Sequence, residues 1–515
     1  MKIPKEVKFI ILEFKKQGFE AYIVGGCVRD LLVNIIPEDW DVATNAKPEE
    51  IKKIFPKSFY ENKFFTVTVH TGSQNPKLKE IEITTFRSEA KYTNKRHPDE
   101  VKFAETIEED LARRDFTVNA IAIDLKSQIP NLKSQINSKI IVSKTEVFEK
   151  LEIQNSKFSI IDPFNGREDV KNKIIRAVGN PEERFNEDAL RMMRAVRFAV
   201  TLADGWKIEE KTGEAIKKNS SLLKEISKER IRDELLKIIT SERPAEGIES
   251  LREMELLKYI IPELEEGCGV SQNKHHLYPC WEHYLKSLEY AAKKNFNKYV
   301  RFAALFHDVG KPRVKKGEGS DATFYNHEVV GSKITAQILE RLKFSKKDRD
   351  KIVKLVRYHL FYYNPEEVGE SSVRRLIREA GQENMEDLLE VRMCDRIGSG
   401  CPKAEPYKLR YLKYTIDKVS QDPLSVKTLK VNGDDVMKIL NIQPGPRIGQ
   451  ILDVLLSYVL EEPKKNEKEF LEKEVAKLGK LSEKELNSLR QKAKGEREKL
   501  AEKRDEMTKK KYWVT

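Results

Sequence analysis

Near residue 170 the hydrophobic period of this chain changes, and that change limits the folds open to it. Upstream, short apolar runs fall at 20–24, 39–43, 64–70, 80–86 and 117–123, with the length and alternation of strands. A helical pattern over Lys5–Lys16 precedes them and stops at Gly18. Downstream, segments 187–201, 208–218, 229–241, 245–257, 282–294, 298–306, 345–360 and 371–380 carry the spacing of amphipathic helices, and strand signals nearly vanish. The expected architecture is therefore an α/β unit over residues 1–165 followed by a long all-α remainder.

Composition narrows the class of partner. Charged residues make up 35% of the chain and net charge is +12, a balance that favours polyanions, nucleic acid first. From Lys464 to the end there are 17 Lys and Arg against 11 Asp and Glu, so half of the excess sits in the last tenth of the chain. That tail is nearly pure Lys, Glu, Leu, Ala and Arg, and its composition predicts exposed helices, paired or single. No apolar run reaches the ~18 residues of a membrane span. The start of the chain lacks the apolar block of a signal peptide. Five cysteines with no CxxC spacing fit a reducing compartment, hence the cytoplasm. Residues 125–160 repeat "LKSQI" in a Ser-, Asn-, Lys- and Gln-rich setting and read as a surface insertion, a long hairpin without chemistry.

Chemistry enters at "YIVGGCVRDLLVNIIPEDWDVAT", Tyr22–Thr44. On a strand, residues i and i+2 share a face, so Asp39 and Asp41 project together while Trp40 and Val42 face a core. Two adjacent carboxylates repel unless a cation lies between them, and Mg²⁺, a hard ion, takes carboxylate and phosphate oxygens together. A capped turn at Asp39 and a plain surface aspartate at Asp41 would give the same letters. The glycines tip the balance. Gly25 and Gly26 let backbone approach a triphosphate at a helix N-terminus, and Arg29 in the first turn adds a guanidinium fork. Glu82, in "EIEITTFR", is a candidate third carboxylate on a neighbouring strand.

"GGCVRD" followed by "DWD" resembles the head motif of the nucleotidyltransferase superfamily, in particular the bacterial-type (class II) CCA-adding tRNA nucleotidyltransferases and their poly(A) polymerase relatives. "EEDLARRDFTVNAIA" (108–122), "NEDALRMMRAVRF" (186–198) and "ISKERIRDEL" (226–235) are similar to the motifs that follow in that family, in the same order. "RSEAKYTNKRHPDEVKF" (87–103) looks like its flexible loop. The resemblance implies a small mixed sheet in the head and a helical neck, body and tail.

The third of those motifs has its own logic. Asp188, Arg191, Arg194 and Arg197 recur every three residues on an expected helix, with Leu190, Met193 and Val196 opposite. A charged solvent face would show the same spacing. A carboxylate only accepts hydrogen bonds and a guanidinium only donates. Cytosine and adenine each offer an amino donor beside a ring acceptor. Uracil and guanine put a carbonyl where the amino group should be, and a buried mismatch of that kind is strongly rejected. The family selects CTP and ATP in this way, and the resemblance places the selecting edge on Asp188 and Arg191. Arg194, Arg197 and Arg114 would then hold the triphosphate or the stacked base.

Six of the eight histidines fall between 275 and 359. His283, the adjacent His307 and Asp308, His327, His359 and Asp395 all lie in helical surroundings, and imidazole with carboxylate suits a divalent transition metal. "ALFHDVGKP" resembles the signature of HD phosphohydrolases. That likeness implies His283, His307, Asp308 and Asp395 as metal ligands, with His327 and His359 widening the site to a second metal or to phosphate. A relic domain kept as scaffold is the other reading.

Together these features predict four parts: a head over 1–165, a neck and body over 166–275 that binds nucleobase and RNA, an HD domain over 276–400, and a tRNA-binding body and tail over 401–515. The expected activity is template-independent addition of CCA to tRNA with CTP, ATP and Mg²⁺, beside a metal-dependent phosphohydrolase. Narrower members of the same superfamily (CC-adding, A-adding, poly(A) polymerase), an HD hydrolase with the head as RNA-binding module, and a non-catalytic RNA-binding protein are the alternatives. The retained carboxylate pair argues against the last two. Oligomeric state is open.

Overall fold

The computed structural model describes residues 3–61, 66–90, 100–126, 157–274, 276–420 and 426–514. Two compact units emerge, one of residues 1–357 with 398–400, the other of 358–397 with 401–515.

The first unit begins with helix α1 (Lys5–Lys16), whose Val7, Ile10, Ile11 and Phe14 are fully or almost fully buried, as their spacing requires. Gly18, at φ +83°, ends it in a conformation costly for any side chain. A mixed seven-stranded sheet follows. Its strands are β1 (Ala21–Val24), β2 (Asp41–Thr44), β3 (Ser58–Glu61), β4 (Thr66–His70), β5 (Glu80–Thr85), β8 (Ala122–Lys126) and β9 (Lys157–Ile161), in the order β3-β4-β5-β2-β1-β8-β9. Only β2 and β5 run parallel, while the other five pairs are antiparallel. β6 (Arg87–Ala90) and β7 (Glu100–Phe103) form a separate antiparallel hairpin. Helices α2 (Gly26–Leu32), α3 (Pro48–Ile54) and α4 (Ile107–Ala112) complete the head, with Ile107 and Leu111 packed over Val24, Ala43 and Ala122.

The sheet corrects the sequence reading in three places. Asp39 lies in a bend and the strand starts at Asp41, so the two carboxylates do not share a strand. Segment 117–123 divides into a 3-10 turn over Thr117–Asn119 and the strand from Ala122, because the backbone N–H groups of Asn119 and Ala120 bond back to the Phe116 and Thr117 carbonyls, both at 2.9 Å. β3 carried no expectation. The middle of the 125–160 insertion and of the 87–103 loop lies outside the described residues; the described flanks pair as β8 with β9 and β6 with β7.

Helices then take over: α5 (Gly166–Asn172), α6 (Pro181–Glu187), α7 (Leu190–Thr201), α8 (Glu210–Asn219), α9 (Lys228–Ile239), α10 (Pro244–Glu253), α11 (Cys280–Lys293), α12 (Lys298–Phe306), α13 (His327–Arg341) and α14 (Lys346–Tyr358). The expected single helix over 187–201 is interrupted at Asp188, whose extended φ and ψ end α6 before α7 begins.

The second unit holds α15 (Glu370–Ala380), α16 (Met385–Gly398), α17 (Tyr407–Ser420), α18 (Gly433–Leu440), α19 (Pro446–Glu461), α20 (Lys468–Leu478) and α21 (Glu483–Tyr512). The tail is helical as expected but is not merely an exposed appendage. Leu471, Val475, Leu478 and Leu486 join Val431, Val436, Ile451 and Leu455 in one core, each burial contributing about 1.5–3 kcal/mol. Among the described residues no helix is long and apolar enough to cross a membrane.

Candidate active site

The turn between β1 and α2 is built around Gly25. Its φ is +82°, and a Cβ there would lie 2.9 Å from Arg114 Nη1 and 3.3 Å from Asp41 Oδ2. Glycine is required both by conformation and by what crowds it. Gly26 opens α2, and an added Cβ would touch only the Arg29 guanidinium, at 3.5 Å.

Asp41 heads β2, with Trp40 buried behind it and Asp39 exposed one residue further back. Glu82 stands in register beside Asp41 on the parallel strand β5, so both side chains rise from one face of the sheet. Burial pushes the Asp41 carboxyl above the ordinary range; Arg114 pulls it back and the Asp39 charge adds to the rise. Asp41, Asp39 and Glu82 beside the Arg114 guanidinium leave an anionic site whose metal donors are all oxygens, which fits a hard divalent cation.

Around it runs a chain of buried and half-buried arginine–carboxylate pairs. Asp110 accepts from Arg113 at 3.0 and 2.8 Å and from Arg114 at 3.2 Å. Arg29 is buried and donates to Asn119 Oδ1 (2.8 Å) and to Asp30 (3.0 and 2.7 Å), so its fork is engaged within the head. The Asn119 amide in turn donates to Asp115 at 3.3 Å. Asp115 also receives Arg194 Nε at 2.7 Å. Burial raises the Asp115 carboxyl, but Arg194, Arg191 and Asn119 together pull it down to about 2. The Arg29, Arg194 and Arg197 guanidiniums lie 5.6, 5.3 and 4.1 Å from the centre of the Phe198 ring, whose π-face gathers three like charges.

Asp188 and Arg191 are not paired with each other. Arg191 donates to Glu187 (2.7 Å) and to the Arg113 carbonyl (3.2 Å). Asp188 takes a two-pronged bond from Arg230 on α9, at 3.1 and 2.7 Å. Arg197 meets Glu234, one turn along the same helix, at 3.0 Å. Arg230, Glu234, Asn119 and Asp115 were not singled out from sequence. All four lie inside or within one turn of the quoted motifs, and only their partners reveal them.

The histidine region is a second cluster in the first unit. His283 and His307 approach through their Nε2 atoms at 2.8 Å. Asp308 Oδ2 lies 3.0 Å from His283 Nε2, 3.3 Å from His307 Nε2 and 2.6 Å from Lys311 Nζ, while its Oδ1 lies 3.2 Å from His327 Nε2. His307 Nδ1 and His327 Nδ1 face the carbonyls of Ala304 and Phe324 at 2.9 and 2.7 Å, which makes each Nδ1 the donor and leaves each Nε2 lone pair turned inward. Lone pairs facing a carboxylate call for a cation, and mixed nitrogen and oxygen donors suit a transition metal. His359 and Asp395 fall in the second unit, where both are buried and Asp395 is paired with Arg392.

Comparison with known proteins matches three stretches of the chain. The chain matches the poly A polymerase head domain over residues 21–134, the probable RNA- and SrmB-binding site of polymerase A over 205–268, and tRNA nucleotidyltransferase domain 2 over 324–475. Sheet, glycine turn and matched head place the molecule among the nucleotidyltransferases. A CCA-adding enzyme of Ligilactobacillus salivarius (strain UCC118) is 34% identical over 491 residues, 92% of this chain and 98% of that one. The crystal structure of the Bacillus stearothermophilus CCA-adding enzyme in complex with CTP is similar at a TM-score of 0.56 and 29% identity, covering 93% of this chain and 98% of that chain. The Thermotoga maritima CCA-adding enzyme complexed with tRNA is similar at a TM-score of 0.50 and 21% identity, covering 93% and 96%, a likeness of fold. The chain belongs to the CCA-adding enzymes. Nucleotidyltransferases of this family use a divalent metal.

Proposed function

We propose that the head adds C, C and A in turn to the 3′ end of tRNA, drawing on CTP and ATP and reading no template strand. The observation that carries this is the Asp41 carboxylate, set beside Asp39 and facing Gly25 and Arg114. Asp39 and Asp41, with Glu82 in register, would hold Mg²⁺. When bound, that ion supplies neutralising charge for the triphosphate and acidifies the attacking hydroxyl. The primer 3′-oxygen forms the new bond to the α-phosphorus as the α–β bond breaks, and pyrophosphate leaves. Gly25 leaves room for phosphate against the backbone, and Arg114 offers its guanidinium beside the carboxylates. Asp188 accepts the amino group of cytosine or adenine. Arg29, Arg194 and Arg197, gathered on Phe198 and each engaged by a carboxylate, would brace the wall beside the nucleotide. The basic tail and the region matching the RNA-binding model make tRNA the partner.

The test uses tRNA lacking its 3′ end, Mg²⁺, and each nucleoside triphosphate singly, then CTP with ATP, with the ends sequenced. CTP alone should add two residues and the pair should complete CCA. Incorporation of UTP or GTP at comparable rates, or A-tailing alone, would overturn the reading.

A second reading concerns the histidine cluster. The inward Nε2 lone pairs of His307 and His327 around Asp308 support a metal-dependent phosphohydrolase there, in which a metal-activated water opens a phosphoester. A role on damaged RNA ends would leave a clean hydroxyl for the head to extend.

A further inference from the structure

Helix α9 presents two charges one turn apart, Arg230 and Glu234, and each meets an opposite charge on the segment that carries the base-selecting motif. The Arg230 contact is the more specific. Its Nη1 lies 3.1 Å from Asp188 Oδ1 and its Nη2 2.7 Å from Oδ2, the fork geometry a lysine cannot copy. The backbone N–H of Leu190 also donates to Asp188 Oδ1, at 3.1 Å.

Counting acceptor positions gives this arrangement its meaning. A carboxylate offers about four lone-pair sites, two on each oxygen. Arg230 fills one on each oxygen, and the Leu190 N–H fills the second on Oδ1. One position is left, on Oδ2. A single acceptor is what one exocyclic amino N–H needs, and it gives nothing to a carbonyl.

We infer that Arg230 is a positioning residue for nucleotide selection, fixing the Asp188 carboxylate so that one acceptor of defined direction remains for the amino group of cytosine or adenine. This rests on the reading of Asp188 as the base-selecting acceptor. Without the fork, the carboxylate turns about its own axis and recruits water, which bridges to a carbonyl as readily as to an amino group. Selection against uracil and guanine then weakens, while the chemistry at Asp39 and Asp41 keeps its residues.

The test measures kcat/KM for CTP and for UTP on tRNA lacking its 3′ end, in Arg230→Met, Arg230→Lys, Asp188→Ala and Asp188→Ala with Arg230→Met, with folding followed by circular dichroism. The CTP-to-UTP ratio should fall about 10–100-fold in Arg230→Met, the worth of one charge-assisted interaction, and less in Arg230→Lys. In the Asp188→Ala background Arg230→Met should add nothing to the ratio, because its effect passes through Asp188. If Asp188→Ala relaxes selection and Arg230→Met does not, the role of Arg230 is overturned and that of Asp188 stands. If Asp188→Ala leaves selection intact, it is the base-selecting reading that fails. An equal loss for both nucleotides at constant ratio would make Arg230 a structural brace only. Should Arg230→Met not fold, Arg230→Lys decides: a lowered ratio supports the assignment and an unchanged ratio overturns it.

Discussion

Asp41 and Asp308 each sit among other metal-type donors, yet water reaches only the first. Asp41 is partly exposed at the end of a strand, its neighbours are carboxylates, and burial with the Asp39 charge keeps its carboxyl above the ordinary range. Asp308 is 1% exposed. Burial works against its charge too, but a protonated His307, whose Nε2 proton a metal would replace, outweighs it together with Lys311 and His283 and holds the carboxyl well below that range. The head site is open, with carboxylates outnumbering the Arg114 guanidinium, and its donors are oxygen. The histidine cluster is closed, already holds a lysine, and mixes nitrogen with oxygen. On the proposed function, the first would take a hydrated hard cation arriving with a triphosphate and the second a tightly ligated transition metal.

The largest effect should come from removing one side of that comparison. Asp41→Ala is expected to lower nucleotide addition on the order of 10³-fold or more, since positioned charge carries most of phosphoryl transfer. tRNA retention on a filter should change little. Near-normal turnover would remove Asp41 from the site. On the other side, His307→Ala combined with Asp308→Ala should abolish hydrolysis of small phosphoesters and metal retention after dialysis against Mn²⁺ or Ni²⁺. CCA addition to an intact primer should survive in that variant. Loss of addition in a folded double variant would mean that the two clusters work as one.

A smaller effect sharpens the contrast inside the head. Asp115 is the carboxylate Asp41 is not: a guanidinium is bonded directly to it, and its carboxyl is drawn down to about 2. A folded-state value below the unfolded one stabilises the fold at neutral pH and loses that contribution as pH falls from about 4 through about 2. The shift corresponds to about 2 kcal/mol, and Asp115→Asn also strips the half-buried Arg194 of its counter-charge. Thermal unfolding should show the variant less stable at neutral pH, with the gap closing toward pH 2. A gap that stays constant with pH would mean the loss is packing alone.

How much of this was legible in the sequence depends on whether a residue acts through its neighbours in sequence or across the fold. Gly25, Asp41 and the helices from 208 onward were readable because local conformation and period decide them. Glu82 was placed correctly on the neighbouring strand, and its register with Asp41 needed the structure. The base-reading edge placed on Asp188 and Arg191 rests on their spacing and on the family likeness. The spacing does not show that the helix stops at Asp188, or that Arg230, more than forty positions away in the chain, holds its carboxylate. The tail looked solvated because its apolar residues are sparse. Leu471, Val475, Leu478 and Leu486 are nonetheless spaced to bury a single stripe, so deleting residues 464–515 would cost core packing as well as charge.

The smallest effect is a gain. A carboxyl whose folded-state value is raised makes folding bind a proton more readily than unfolding does, so its charge destabilises the fold at neutral pH and costs nothing once pH falls below the unfolded value. Asp41→Asn keeps shape and removes that charge from beside Asp39. In protein stripped of divalent ions with EDTA, the variant should therefore be more stable than the parent near pH 7, on the order of 0.5–2 kcal/mol, the usual worth of relieving a functional site. The advantage should shrink as pH is lowered and the parent carboxyl takes up its proton. Adding Mg²⁺ should stabilise the parent and not the variant, because only the parent keeps the pair of carboxylates that binds it. Urea unfolding at neutral and acid pH, with and without Mg²⁺, measures all of this, and a variant less stable than the parent in EDTA would show that Arg114 outweighs burial and Asp39 together at Asp41.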